Sequence, residues 1–265
     1  MIQKIRQFFQ ANTEIATARI PAGERVYAIG DIHGRLDLLN KIALAIEADD
    51  AARDAADTTI VLLGDLIDRG PDSAAVIAMA RDWQQRRKVR ILGGNHEEMF
   101  LLGFYKLSAF KGFLRIGGRE TVLSYDIDRL AFQAAELEQA QQMMVEAVPV
   151  ADREFLRGFE TTIRFGDYLF VHAGINPDLE IEHQQSSDCR WIREPFLSHR
   201  GDYGCVVVHG HTVTDEAVFK PNRIGIDTGA FMSGKLTAIG LEGSERWLIQ
   251  AREEGGAIET FARAA

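Results

Sequence analysis

Cysteine is nearly absent from this 265-residue chain: there are two, Cys189 and Cys205, and neither stands in a Cys-x-x-Cys pair. That argues against a disulfide-framed scaffold and a thiolate zinc site, and for free thiols in a reducing compartment. Basic residues are outnumbered, 30 against 39 acidic, for a formal net charge of −9. A broad nucleic-acid surface needs a basic footprint, so no stable nucleic-acid partner is expected. A small anionic substrate in a locally positive pocket stays compatible with that charge. No apolar run approaches the roughly 18 residues of a membrane span, so no transmembrane segment is expected. The opening stretch, MIQKIRQFFQANTEIATARI, is too polar for a signal-peptide core. Residues 1–20 are therefore read as an N-terminal arm, and the expected setting is cytoplasmic. Internal repeats and low-complexity segments are missing as well.

What is present is an ordinary globular composition, 46% hydrophobic and 26% charged, arranged in a rhythm of strand, polar cluster, helix. Strands are expected at Arg25–Ile29, Thr59–Leu63 and Val89–Leu92. Helices follow at Leu36–Ile46, at Ser73–Arg81 entered through Pro71, and from Glu97 to Leu102. The unit recurs about every 30 residues, the length of a βαβ unit. In open α/β sheets ligands bind beyond the carboxyl ends of the strands, and all three polar clusters fall there. Strands return at Tyr168–Val171, Cys205–Val208, Arg223–Ile226 and Leu236–Leu241. Residues 103–160 lack the rhythm and are read as a helical insert, with Asp128–Ala147 rich in good helix formers. The main domain is assigned to 21–251, and the polar, Ala-rich stretch 252–265 is expected to be a loosely packed C-terminal tail.

Five clusters follow strands: GDIHG at 30–34, GDLIDRG at 64–70, GGNHE at 93–97, VHAG at 171–174 and HGHT at 209–212. They hold five of the seven histidines, together with three aspartates and an asparagine. Oxygen and imidazole donors of this kind suit manganese, iron or zinc. If the backbone of Asp31-Ile32-His33 stays extended, its two polar side chains share one face. Taken singly, each cluster has a plain reading. Asp-Arg in a turn is usually a surface ion pair worth under about 1 kcal/mol. Asn before a helix can be a cap, and a histidine after an apolar strand can be a satisfied core residue. Five such clusters at corresponding strand ends argue for a shared site.

In this order, GD-x-HG, GD-x-x-DRG, GNHE, HAG and GHT resemble the signature of the calcineurin-like binuclear metallophosphoesterases. The chain is most similar to the serine/threonine phosphoprotein phosphatase branch in its short bacterial and phage form, and IDTGA-x-x-x-G-x-LTA at 226–238 extends the likeness. The resemblance implies an α/β metallophosphatase fold, a four-layer αββα sandwich, here with a mainly helical insert. It also implies two divalent metal ions, manganese foremost, with iron or zinc as alternatives. Asp31 and His33 would hold the first ion, Asp65 would bridge both, and Asn95, His172 and His211 would complete the second. Residue 213 is Val, so the second histidine of a Gly-His-x-His pattern is missing. His211 is therefore taken as the ligand, and His209 as a strand-end histidine whose direct role stays open.

The implied reaction is hydrolysis of phosphate monoesters, as in a phosphoserine/phosphothreonine protein phosphatase, by direct attack of a bimetal-bridging hydroxide. His96 would be the general acid and Asp68 would orient it. Arg69 and Arg193, the latter from the Trp-x-Arg of CRWIREPF, would clamp the phosphate, with Arg190 as fallback. The partner is then a phosphorylated protein or a small phosphoester. Symmetrical dinucleoside tetraphosphate (Ap4A-type) hydrolases are similar but typically carry alanine where Asp68 stands. They remain the alternative, beside a phosphodiesterase and a phospho-ligand binding protein without turnover. On this division of roles, Asp65→Asn loses bound metal and activity together, whereas Asp68→Asn keeps metal and loses turnover. Metal analysis of both purified variants, set beside their phosphatase rates, checks the division.

Overall fold

The computed structural model describes residues 18–265, so most of the expected arm lies outside the described residues. In β1 (Glu24–Ile29) every residue after the first is buried. Because side chains alternate along a strand, Val26 and Ala28 enter one core while Tyr27 and Ile29 enter another. The next strand, β2 (Asp57–Leu62), does the same, with Val61 on one side and Ile60 and Leu62 on the other. Two buried faces explain why these strands are nearly continuous apolar runs.

Helices α1 (Leu36–Ala52) and α2 (Ser73–Arg86) flank β2, and β3 (Val89–Ile91) leads into α3 (Asn95–Gly103). The insert then runs α4 (Leu107–Phe113), a kinked turn at Leu114–Gly118, α5 (Arg119–Leu123), α6 (Arg129–Ala134), α7 (Leu137–Ala147) and α8 (Val150–Arg157). Beyond it come β4 (Thr162–Phe165), β5 (Tyr168–Val171), a short 3-10 turn, α9 (Ser186–Trp191), β6 (Val206–His209), β7 (Val218–Phe219), β8 (Arg223–Gly225) and α10 (Ala230–Ser233). Strands β9 (Lys235–Glu242), β10 (Glu245–Glu254) and β11 (Ala257–Ala264) close the chain.

The strands form a six-stranded sheet, ordered β11-β10-β9-β1-β2-β3, and a five-stranded sheet, ordered β4-β5-β6-β8-β7. Val26, Ala28, Val61 and Leu63 of the first sheet share a core with Tyr168, Phe170, Val206 and Val208 of the second. The outer face of the first sheet packs on α1, α2 and the insert. The outer face of the second, through Leu169, Val171 and Val207, packs on Ile175, Cys189 and Phe196. The result is the four-layer αββα sandwich of the metallophosphatase fold. Strands β1, β2 and β3 are parallel to one another, as are β5, β6 and β8. The carboxyl ends within each sheet therefore point the same way, and contacts described below bring the two sets together.

One segment differs from expectation, and the insert carries a break. The helix-rich stretch Asp128–Ala147 is helical but breaks between α6 and α7. The Asp128 carboxylate accepts from the Ala131 N–H (2.8 Å), and the Glu136 N–H donates to the Gln139 side chain (3.1 Å). Polar side chains that can cap a helix end compete with helix continuation even in a good helix composition. Residues 252–265 are not a loose tail. β11 pairs antiparallel with β10 from Trp247↔Ala264 to Glu254↔Ala257, across a Gly255-Gly256 turn in which both φ angles are positive, 60° and 82°. Two glycines suit such a hairpin turn, but the mostly exposed side chains of β11 carry little apolar alternation to reveal it. The cysteines Cys189 and Cys205 are free, as expected, and both are buried in one apolar cluster.

Among the described residues no helix is long and apolar enough to cross a membrane. The insert is not a separate flap, since Phe110, Phe113, Val122, Met144 and Leu156 belong to the same core as Tyr27 and Ile29. Phe110→Ala is accordingly expected to lower global stability by about 3–5 kcal/mol. Urea unfolding should show this as a lower midpoint of a single transition, not as early loss of helical signal alone.

Candidate metal centre

Among the described residues, five that are not glycine have positive φ: His33 (46°), Asp65 (49°), Asp68 (74°), Arg69 (69°) and His211 (60°). All five were singled out from the sequence. Left-handed backbone in L-residues costs about 1–3 kcal/mol each and persists only where surroundings enforce it. It also means that Asp31-Ile32-His33 is not extended; His33 reaches the site through a turn rather than by strand alternation.

Buried Glu97 does much of the enforcing. Its carboxylate accepts from the backbone N–H groups of Asp65 (3.0 Å), Leu66 (2.7 Å) and Gly94 (2.8 Å). The Asp65 carbonyl in turn accepts from the N–H groups of Ile32 and His33 (3.1 and 2.9 Å). Gly94 is required by close approach, because a Cβ there would lie 2.1 Å from Asp65 Oδ1.

The side chains converge on Asp65. Its Oδ2 lies 3.4 Å from His172 Nε2, 3.7 Å from His33 Nε2 and 3.8 Å from His96 Nε2. Two groups of donors could each hold an ion, His33–Asp65–His96 and Asp65–His172–His211, and Asp65 is common to both. Asn95 Oδ1 joins the second group, 3.1 Å from His172 Nε2. Asp31 is buried beside His211, whose N–H donates to its carboxylate (2.9 and 3.2 Å). It stands outside the two tight groups, in one of which His96 lies beside His33 and Asp65.

Hydrogen bonding decides which ring nitrogens are available. A carbonyl can only accept, so His172 Nδ1 carries the proton it donates to Leu63 O (2.8 Å), and His33 Nδ1 the one it donates to Ile67 O (2.8 Å). Each ring therefore turns Nε2 toward Asp65, the arrangement metal-binding histidines favour. His209 differs. Its Nδ1 donates to Gly210 O (3.0 Å), its Nε2 accepts from Arg223 (3.2 Å), and its ring edge packs on Phe196. Both nitrogens are occupied away from Asp65.

Charge follows the same geography. Burial drives His33 and His211 down to about 3, so both rings are neutral at pH 7. Burial and the charges of Asp227 and Asp65 hold Asp31 well above the usual carboxylate range. For His172 burial acts downward, but Asp65, Asp31 and Glu97 carry it up to about 10. Four buried carboxyls, those of Asp31, Asp65, Glu97 and Asp227, thus surround one spot. With the neutral imidazoles of His33 and His211 beside them, this oxygen and nitrogen set fits divalent cations.

Next to it lies an acid pair. His96 Nδ1 donates to Asp68 Oδ2 at 2.6 Å, with both side chains buried. Burial opposes a charge on His96, yet Asp65 and Asp68 raise its pKa above the ordinary histidine value. Arg69 directs Nη1 to His33 Nε2 (2.9 Å) and Nη2 to His96 Nε2 (3.0 Å), and its guanidinium carbon lies 4.6 Å from the centre of the Phe231 ring. Arg193 donates to the hydroxyl of Thr212, next to His211 (3.2 Å). Arg190, the fallback, is tied to Glu98 instead (3.1 Å).

The residue roles assigned from sequence omitted Glu97, Asp227, Thr121 and Phe231. Glu97 and Asp227 were visible inside GGNHE and IDTGA, though without a role. Thr121 and Phe231 carried no signal, one lying in the helical insert and the other among apolar residues.

Residues 24–228 match the protein-family description "Calcineurin-like phosphoesterase". The asymmetrical bis(5'-nucleosyl)-tetraphosphatase of Anoxybacillus flavithermus is 28% identical over 235 residues, covering 80% of this chain and 88% of the relative. Serine/threonine-protein phosphatase 1 of Salmonella typhimurium is 28% identical over 218 residues, covering 80% and 89%. Among solved structures, a cold-active protein tyrosine phosphatase aligns with a TM-score of 0.58 at 20% identity, over 91% of this chain and 81% of that one. That likeness is one of fold.

Glu97→Gln tests the support under Asp65, since an amide cannot accept from all three backbone donors. Divalent-metal affinity is expected to fall about 10–100-fold, as for other groups that orient ligands from behind. Titration of the metal-free protein followed by calorimetry reads this directly.

Proposed function

The chain belongs to the calcineurin-like phosphoesterases and is a metal-dependent phosphoesterase; from that premise we propose that it hydrolyses phosphate monoesters, with phosphoserine and phosphothreonine proteins as the substrate class. The observation that carries this reading is the buried His96–Asp68 pair, 2.6 Å apart, with Arg69 Nη2 3.0 Å from the Nε2 atom of the same imidazole. Binding a phosphorylated ligand does not require a proton donor. Cleaving an ester with a poor leaving oxygen does.

Asp31, His33, Asp65, Asn95, His172 and His211 would hold two divalent ions, manganese foremost, with iron or zinc as alternatives. Ions so held would activate a water and offset charge on the phosphoryl group. The chain's own groups do the rest. Arg69 and Arg193 take phosphate oxygens, where a planar guanidinium offers two parallel donors. His96 gives its Nε2 proton to the departing oxygen. Asp68, bonded to Nδ1, keeps the ring turned toward that oxygen and favours its protonated form.

A second reading is supported by the Anoxybacillus flavithermus relative, named for dinucleoside tetraphosphate cleavage. In that case the same groups would act on a phosphoanhydride, whose leaving phosphate needs less help from an acid. Retention of Asp68, where symmetrical tetraphosphatases typically carry alanine, speaks against the symmetrical form of that reaction.

A panel of p-nitrophenyl phosphate, a phosphothreonine peptide, diadenosine tetraphosphate and a phosphodiester, assayed with manganese, tests the proposal. The expected result is kcat/KM highest on the phosphopeptide and lower on the diester, which offers one anionic oxygen fewer to Arg69 and Arg193. Preference for diadenosine tetraphosphate would establish the second reading. No turnover of any compound would make the protein a binder of phosphorylated ligands.

A further inference from the structure

We propose that Thr121, on helix α5 of the insert, is a positioning residue for proton donation. Its hydroxyl would clamp Asp68 so that Asp68 can hold the His96 ring. This rests on the monoester reading above.

The argument begins with proton bookkeeping. Thr121 Oγ1 lies 2.5 Å from Asp68 Oδ1 and 2.9 Å from Ser73 Oγ. A threonine hydroxyl has one proton to give, and the ionised carboxylate can only accept, so that proton goes to Asp68. Ser73 must then donate to Thr121. The Asp68 N–H donates to both hydroxyl oxygens, at 2.8 Å to Thr121 and 3.0 Å to Ser73. The chain of donors runs one way, from Ser73 to Thr121 to Asp68 Oδ1, while Asp68 Oδ2 receives the proton of His96 Nδ1. With Nδ1 committed, Nε2 is the nitrogen turned toward Arg69, the proposed phosphate-binding group.

Backbone strain points independently to the same contact. Asp68 and Arg69 are consecutive non-glycine residues with φ of 74° and 69°. The insert grips both. Thr121 receives the Asp68 N–H, and Gly117 O receives the Arg69 N–H at 3.0 Å. The strained pair is thus held from outside its own loop by a segment about 50 residues away. Thr121 and Ser73 are both fully buried. A buried hydroxyl without partners is costly, so this network has to be complete.

The inference is tested on the full-length protein with Thr121→Val, which keeps the shape and removes the hydroxyl, and Thr121→Ser, which restores it. Rates are compared on phenyl phosphate, whose leaving group needs a proton, and p-nitrophenyl phosphate, whose leaving group needs it less. For Thr121→Val, kcat on phenyl phosphate should fall about 100-fold, within the range for losing a positioned acid. On p-nitrophenyl phosphate it should fall less than about tenfold, with KM and bound metal unchanged. Thr121→Ser should restore both rates.

A second readout needs no turnover. The low-field proton resonance of His96 Nδ1–H, assigned with isotope-labelled histidine and by its loss in His96→Asn, should move upfield in Thr121→Val and return in Thr121→Ser. Equal losses on the two substrates, loss of metal, or an unmoved resonance would overturn the proposal. If wild type cleaves neither ester while the resonance responds as expected, the clamp is supported and the monoester reading falls. Should Thr121→Val not fold, Thr121→Ala, which removes the same hydroxyl and leaves Ser73 in place, must show the same leaving-group pattern or the proposal fails.

Discussion

The Asp65 carboxylate is the point on which the rest of the structure turns. It is buried, it lies within 3.8 Å of three imidazole nitrogens, and its backbone is in a left-handed conformation. An isolated ionised carboxylate in a protein interior is very unfavourable. Here His172, His96 and His33 favour the charged form and hold its pKa well below the ordinary range, against the opposing effect of burial. Cations in the same place would serve the same end more strongly. The surrounding architecture can be understood as what is needed to keep that charge fixed in one geometry.

Three separate pieces do the fixing. Two sheets share an apolar core, so the carboxyl ends of β1, β2 and β3 meet those of β5 and β6. His172 donating to Leu63 O, and the His211 N–H donating to Asp31, are where they join. Behind the loops, Glu97 replaces the missing strand pairing of three backbone N–H groups. Beside them the insert, packed into the outer core, holds Asp68 and Arg69 through Thr121 and Gly117. Metal holding and proton donation are therefore supported from different parts of the chain. That allows one to be perturbed without the other.

Much of this was legible without coordinates. The apolar runs before each cluster read correctly as strands because both faces are buried. The donors read as a site because polar residues recurring at the edge of a core demand a common explanation. Where the reading failed, the local pattern was silent or misleading. β11 carries exposed side chains and shows itself only through Gly255-Gly256. Asp31-Ile32-His33 suggested strand alternation, whereas the turn at His33 is stabilised by bonds to Asp65 and Ile67, about 30 residues on.

By itself, then, the amino-acid sequence determined the order of strands and clusters, the donor types available and the absence of thiolates from among them. Those properties are local: they depend on side-chain chemistry and on periods of two or 3.6 residues. Only the tertiary structure decided that His209 turns both nitrogens away, that Arg193 rather than Arg190 stands beside His211, and that Thr121 reaches Asp68. Each of these is a contact between residues far apart in the chain or a choice between equivalent nitrogens. Hydrogen-bond direction and packing settle such matters in three dimensions, and no spacing along the chain encodes them.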